Sequence, residues 1–381
     1  MRIGIDISQL AYPGTGVAVY TDNLVKSLLA LDKKNEYTLF FSSLRKKFLI
    51  SNFEFLNKSQ IANPNFQTKT FKLPPTLLEF LWNRFHVVSI EIFTGPLDIF
   101  HTSDWLEPPT KCPKVTTIHD LVVYKYPETF TPKGGHDIVS NLKRKLKWVK
   151  RESKLVIAVS ENTKRDIVEI LGIPEEKIRV VYEAADEVYN KQQTTNNIDK
   201  TKKKYGIKGD YILAVGTREP RKNLKRVIEA HEKLGISPPT GGLKLVIAGK
   251  FGWGDQSSII NHQSSIKLLG YVPKEDLAVL YSGAKVFVYP SLYEGFGLPV
   301  LEAMSCGCPV VTSNVSSMPE VAGDAAVLVN PESMEEITEG IKKAMKERED
   351  LVKKGLKRAK EFSWEKTARQ TLEVYKEAAI C

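Results

Sequence analysis

Residues 286–331 read VFVYPSLYEGFGLPVLEAMSCGCPVVTSNVSSMPEVAGDAAVLVNP. The β-branched and aromatic run 286–289 reads as a buried strand, and 298–304 reads as a helix with Pro299 in its first turn, where a missing N–H costs nothing. The loop between them carries Glu294, Gly295, Phe296 and Gly297. The first N–H groups of a helix have no intrahelical partner and carry the positive end of its dipole, so anions bind there. Glu294 precedes these donors and Glu302 follows them by about one turn. The spacing places two carboxylates around one anion cradle. Taken alone, it equally describes a solvated loop residue and a surface helix residue.

Working outward, the rest of the second half keeps the same rhythm. Strands are predicted at 211–215, 243–248, 266–269, 310–312 and 326–329, with helices around 224–234, 274–281 and 334–347. The first half predicts strands at 2–8, 97–101, 115–119, 155–159 and 178–182, and one beginning at Glu36 that leads to a basic loop with Arg45, Lys46 and Lys47. A helix at 17–31 follows a Gly14-Thr15-Gly16 loop. Short apolar strands of this kind suit parallel sheets covered on both faces. Residues 77–92, with Leu77, Leu78, Leu81, Trp82, Phe85, Val88 and Ile92, fit one apolar helix face. The polar stretch 189–205 marks a change of composition. Two domains are expected, 1–195 and 196–363, each a doubly wound α/β unit, with a capped helix at 364–381.

The chain has 381 residues, 42% hydrophobic and 26% charged, which fits a folded two-domain protein and argues against disorder. Met1 leads into Arg2-Ile3-Gly4-Ile5-Asp6 without a signal-peptide core, and no run reaches the ~20 apolar residues of a membrane span. A cytoplasmic protein is expected. Cys112, Cys306, Cys308 and Cys381 show no zinc or redox spacing and read as reduced packing residues. The net charge of +10 favours an anionic partner without choosing among nucleotide, lipid and nucleic acid. The helix predicted at 138–154 sets Ile138, Leu142, Leu146 and Val149 on one face and Lys143, Arg144, Lys147, Lys150 and Arg151 elsewhere. It reads either as an ordinary helix with a solvated basic side or as a contact for anionic lipid.

The polar residues fall immediately after predicted strands: Gly14 and Gly16, His119-Asp120, Gly216 to Asn223, Gly249-Lys250, Gly270-Tyr271, and Glu294. In open α/β sheets that end is where ligands bind. The loop Thr217-Arg218-Glu219-Pro220-Arg221-Lys222-Asn223 supplies cations suited to phosphate.

The Glu, seven residues, Glu pattern within EGFGLPVLEAMSCGCPVV, with the Glu-Pro-Arg-Lys-Asn loop and the Thr-Ile-His-Asp run, resembles the retaining glycosyltransferases of family 4. That resemblance implies a GT-B fold, with two Rossmann-like domains facing each other across a cleft, the last helix returning to the first domain. It implies hexose transfer from a nucleoside diphosphate sugar, GDP-mannose first, to a saccharide or lipid-linked saccharide. It assigns Arg221 and Lys222 to the donor diphosphate, His119 and Glu294 to the transferred sugar, and Glu302 to the ribose. Tyr271 and Val272 would lie beside the base, with Gly295, Phe296, Gly297 and Leu298 on hydroxyl or phosphate oxygens and Gly14 and Gly16 near phosphates and acceptor. It implies a front-face reaction without a protein nucleophile, metal or cofactor. Two other readings stand beside it: a sugar nucleotide epimerase of the same fold, and a nucleotide or nucleic-acid binding module. The latter lacks a Gly-x-Gly-x-x-Gly fingerprint and a basic-aromatic platform, so no nucleic-acid partner is expected.

Overall fold

The structure, a computed structural model, describes residues 1–44, 63–130, 137–191, 193–235, 242–250, 252 and 265–380. The expected basic loop at Arg45, Lys46 and Lys47, and Cys381, lie outside the described residues. The chain forms two compact units, Met1–Glu183 with Ser363–Cys381, and Ala184–Phe362.

The first unit is built on a seven-stranded sheet: β1 Arg2–Asp6, β2 Glu36–Ser42, β3 Phe66–Phe71, β4 Ile99–Thr102, β5 Lys114–Ile118, β6 Ser153–Ala158 and β7 Ile178–Val180, in the spatial order β3-β2-β1-β4-β5-β6-β7. The strands pair in parallel, as with Ile3 opposite Tyr37 on one side and Ile99 on the other. The second unit holds a six-stranded parallel sheet: β8 Tyr211–Val215, β9 Lys244–Ala248, β10 Ile266–Gly270, β11 Val286–Tyr289, β12 Val310–Ser313 and β13 Val327–Val329, in the order β10-β9-β8-β11-β12-β13. Each sheet reverses its direction of growth once, between β1 and β4 in the first unit and between β8 and β11 in the second. These are the topological switch points at which doubly wound sheets open a crevice beyond the strands' carboxyl ends.

Strands such as VFVY at β11 are buried along their whole length, which is why they read as continuous apolar runs. In the second unit Ile212, Ala214, Val286, Val288 and Val311 meet Val227, Ile228, Ile337 and Ile341 from the covering helices. The C-terminal helix Trp364–Ile380 lies in the first unit, where Thr367 Oγ1 donates to the Tyr182 carbonyl and Tyr375 hydrogen-bonds His101.

Residues 77–92 do not form one helix. They divide into Pro75–Leu78, a π-helical turn at Glu79–Arg84 and Glu91–Thr94, with His86 and Val88 at φ of 54° and 67° between them. Leu78 and Trp82 enter the core, whereas Leu77, Phe85 and Ile92 are exposed. The helical periodicity holds through Arg84 and is ended by the left-handed residues His86 and Val88. The polar stretch after Tyr189 contains the helix Thr195–Lys204, inside the second unit. A further helix, Arg348–Ala359, was not anticipated.

Candidate active site

In the second unit the switch point joins the two loops that carry Arg221, Lys222 and Glu294. Pro220–Lys222 follows β8 as a single 3-10 turn, closed by Asn223 at φ 58°, a conformation that asparagine tolerates. Asn223 Nδ2 donates to the carbonyls of Pro290 (3.0 Å) and Pro331 (2.7 Å), tying this turn to the loops after β11 and β13. Glycine is needed behind the turn, since a Cβ on Gly249 at the end of β9 would lie 1.8 Å from the Gly216 carbonyl oxygen.

Glu294 is 8% exposed and is held from several directions. Lys222 Nζ donates to Oε1 at 2.7 Å, Tyr289 Oη at 2.8 Å and Ser291 Oγ at 2.6 Å. Arg221 Nη1 donates to Oε2 at 2.7 Å and to the Tyr293 carbonyl at 2.7 Å, while its Nη2 reaches Glu219 Oε1 at 2.6 Å. The backbone of Glu294 is fixed by Ser316, which accepts from its N–H, and by Ser317, which donates to its carbonyl. Burial pushes the Glu294 carboxyl up, but the charges of Arg221 and Lys222 and the hydrogen bonds outweigh it and hold the pKa at about 2. Burial lowers the Lys222 pKa against the opposing pull of Glu294. Two cations and two carboxylates, Glu219 and Glu294, therefore form one closed network.

Gly295 to Gly297 lead directly from this network into the helix Leu298–Ser305. Gly297 takes φ 110°, a conformation that requires glycine, and a Cβ there would also displace the Met318 methyl, 2.3 Å away. Phe296 is buried with its ring edge-on to Phe362, and Leu298 is buried. Glu302, in the second turn, has a different environment from Glu294: Tyr281 donates to Oε2 at 3.0 Å, and burial, with Asp186 adding like charge, pushes its pKa up to about 7. Tyr271 follows β10, is 55% exposed and has Lys250 Nζ 5.1 Å above its ring; Val272 is buried. Arg218 is buried beside the same loop.

In the first unit His119 follows β5. Its Nδ1 lies 3.0 Å from Glu183 Oε1 and its Nε2 lies 3.1 Å from Ser103 Oγ, with Tyr20 edge-on at 4.6 Å between ring centroids. Burial lowers the imidazole pKa, but the bond to Glu183, that carboxylate's charge and the charges of Asp104 and Asp120 leave it raised. His119 and Asp104 line a small cavity with Asp120 and Lys145. His101 is a core residue, bonded to Tyr375 Oη at 2.6 Å and Thr117 Oγ1 at 2.8 Å. Gly14, at φ 82°, and Gly16 flank Thr15, whose hydroxyl accepts from the Ala18 N–H and caps the helix Gly16–Leu31.

Arg221, Lys222 and Glu294 are thus brought into direct contact, with residues 295–298 continuous with them. Sequence reasoning missed Tyr289, Ser291, Ser316 and Ser317, which complete the cradle of Glu294, and Glu183, which orients His119. Of these only Tyr289 and Ser291 carried a signal, as polar groups at the end of a buried strand. It also missed a buried ionic cluster in which Glu107 accepts from Thr102 (2.9 Å) and Thr116 (3.1 Å) and lies 3.3 Å from Lys114 and 3.8 Å from Lys145.

Two family models match the chain, Glycosyltransferase Family 4 over residues 14–188 and Glycosyl transferases group 1 over residues 197–362. The chain is 32% identical to O-antigen chain mannosyltransferase B of Escherichia coli, across 99% of this chain and 100% of that one. It is 27% identical to O-antigen chain mannosyltransferase RfbU of Salmonella typhimurium, across 86% of each. Solved structures of similar fold include sucrose-phosphate synthase from Thermosynechococcus elongatus (TM-score 0.74, 19% identity, covering 99% of this chain and 98% of that one). Anabaena HepE in complex with UDP-glucose also matches (TM-score 0.70, 17% identity, 99% and 100%).

Proposed function

The chain belongs to glycosyltransferase family 4, with the group 1 glycosyl transferase domain, and from that premise we propose that it transfers mannose from GDP-mannose, with retention of anomeric configuration, to a saccharide or lipid-linked saccharide. The observation that carries this reading is the Arg221–Lys222–Glu294 network at the switch point of the second sheet, continuous with a helix N-terminus. The choice of mannose is supported by the names of the two relatives above.

In this reaction the bond from the sugar's anomeric carbon to the phosphate oxygen breaks and the bond to the acceptor oxygen forms on the same face. The acceptor proton passes to the departing phosphate, so no protein nucleophile is used. Arg221, Lys222 and the N–H groups at residues 295–298 balance the charge that develops on the leaving diphosphate. The ionised Glu294 accepts from sugar hydroxyls and Glu302 from the ribose, with Tyr271 and Val272 beside the base. His119, held by Glu183, donates to the transferred sugar, and the loop of Gly14 and Gly16 approaches phosphate and acceptor. Catalysis is positioning and electrostatics, with no cofactor and no metal.

A cytoplasmic protein associated with an anionic membrane face is the setting proposed for a lipid-linked acceptor. Among the described residues no helix is long and apolar enough to cross a membrane. Support comes from exposed Leu77, Phe80, Phe85, Val87 and Ile92, next to the basic helix Ile138–Glu152. Trp148 of that helix donates to the Asn83 carbonyl and stacks on His86, while Arg151 lies over its ring.

The test is a thermal-shift screen of GDP-, UDP- and ADP-sugars followed by product analysis. GDP-mannose is expected to stabilise most, and free GDP to accumulate with an α-linked product only when acceptor is present. Epimerised nucleotide sugar without acceptor overturns the reading.

A further inference from the structure

The first sheet also has a switch point, between β1 and β4, and it opens onto a cavity of about 330 Å³ that is separate from the small cavity beside His119. That volume lies at the lower end for ligand pockets, small for a whole nucleotide sugar. Its walls are Tyr12 and Trp105, with Leu78, Leu106 and Ile138, and its polar residues include Asp6 and Gln9. Tyr12 and Trp105 stand in an offset stack, ring centroids 5.6 Å apart and 19° between planes.

The decisive group is Gln9. It is 2% exposed, its Nε2 reaches Asp6 Oδ2 at 3.5 Å, and its Oε1 is buried without a hydrogen-bond partner among the described residues. Asp6, equally buried, accepts from the Ser8 N–H at 2.9 Å. A buried acceptor without a donor is unfavourable, and a ligand hydroxyl corrects it. Tyr12 and Trp105 stack on each other and offer the open side of the pair; a ligand with an apolar ring face for that side and hydroxyls for Gln9 and Asp6 is a pyranose. An alkyl or prenyl chain would fill the same walls and leave Gln9 Oε1 unsatisfied.

The two cavities share a wall made by one loop and one helix. Asp104 lines the His119 cavity and the next residue, Trp105, lines this one; Leu142 and Lys145 face the first, and Ile138 of the same helix faces the second. Neighbouring side chains of one loop thus serve two adjacent compartments.

We propose that the cavity between Tyr12, Trp105, Gln9 and Asp6 holds a sugar ring of the acceptor other than the one that reacts, so that the enzyme recognises acceptors of at least two residues. The proposal rests on the glycosyltransferase reading for its ligand, and its test is separable from it. With GDP-mannose as donor, methyl α-mannopyranoside is compared with the methyl α-1,2- and α-1,3-mannobiosides. The preferred bioside is expected to have a KM about tenfold below the monosaccharide's, the scale of one hydrogen bond plus ring contact. Gln9→Leu and Trp105→Ala should each erase that advantage while leaving KM for the monosaccharide and for GDP-mannose unchanged. Equal KM values in the wild type, or an advantage that survives both substitutions, overturns the proposal.

If GDP-mannose is not consumed, the donor reading fails and saturation-transfer NMR decides the cavity. Bioside signals lost in Gln9→Leu support it; no binding, or binding indifferent to both substitutions, overturns it. Should either variant not fold, Gln9→Met and Trp105→Leu, which remove the acceptor oxygen and the aromatic ring while keeping an apolar side chain in place, replace them in the same comparison.

Discussion

Lys222 Nζ and Glu294 Oε1 lie 2.7 Å apart, although 72 residues separate them in the chain. Arg221 grips the other oxygen of the same carboxylate at 2.7 Å. Lys222→Ala is therefore expected to lower kcat by about 100- to 1000-fold, the usual loss on removing one preorganised group that stabilises transition-state charge. Circular dichroism should show a retained fold, and full turnover in the variant would remove Lys222 from the proposed mechanism.

Glu294 sits well below its ordinary pKa of 4.5, at about 2. A carboxylate depressed by folding contributes stability that is complete above 4.5 and is lost as pH falls toward 2. The shift corresponds to about 3 kcal/mol. Urea midpoints measured down this range should fall in the wild type, and Glu294→Gln should show a shallower acid slope. An identical slope in the two proteins would contradict the described network.

Glu302 behaves oppositely, because burial, opposed by the hydroxyl of Tyr281, raises its pKa to about 7. Its contribution to stability is present below 4.5 and is lost as pH rises through 7. The ionised form is the better acceptor for ribose hydroxyls, so GDP-mannose affinity measured by calorimetry should rise as pH increases across 7. Glu302→Gln should flatten that dependence; an unchanged profile would leave ribose binding to other residues.

In the proposed mechanism Arg221, Lys222 and the start of the helix Leu298–Ser305 take the place of a metal ion on the diphosphate. Turnover is expected to be unaffected by EDTA. Loss of activity with EDTA, restored by Mg²⁺ or Mn²⁺, would overturn this assignment of charges.

For the membrane contact, flotation with phosphatidylglycerol vesicles should recover the protein at low salt, and phosphatidylcholine vesicles should not. Each of Lys147→Glu and Arg151→Glu should weaken recovery several-fold, at ~1 kcal/mol per basic residue, and Phe80→Ser with Phe85→Ser should weaken it further. Recovery that ignores all four substitutions would place the contact elsewhere.

Strands and loops were legible in the sequence because their signals are local. VFVY, the glycines after it and Pro299 specify a strand, a turn and a helix start within a dozen residues, and the structure reproduces them from Val286 to Ser305. The motif residues Arg221, Lys222 and Glu294 were also legible as individual loop residues after strands. That they touch was not, since the contact depends on β8 and β11 being neighbours in the sheet. The same limit hid Lys145, which reads as one more cation in KRKLKWVKR yet is 2% exposed beside Glu107, and Gln9, an unremarkable residue after β1 whose amide is buried. It also misread residues 77–92, where a helical period continued past two residues with positive φ. Hydrophobic period and turn chemistry, properties of short segments, thus determined the elements and their order. Which polar groups meet, and which carboxylate of the pair is easily ionised, was decided only by strand adjacency and burial, because those interactions join residues that the chain itself keeps far apart.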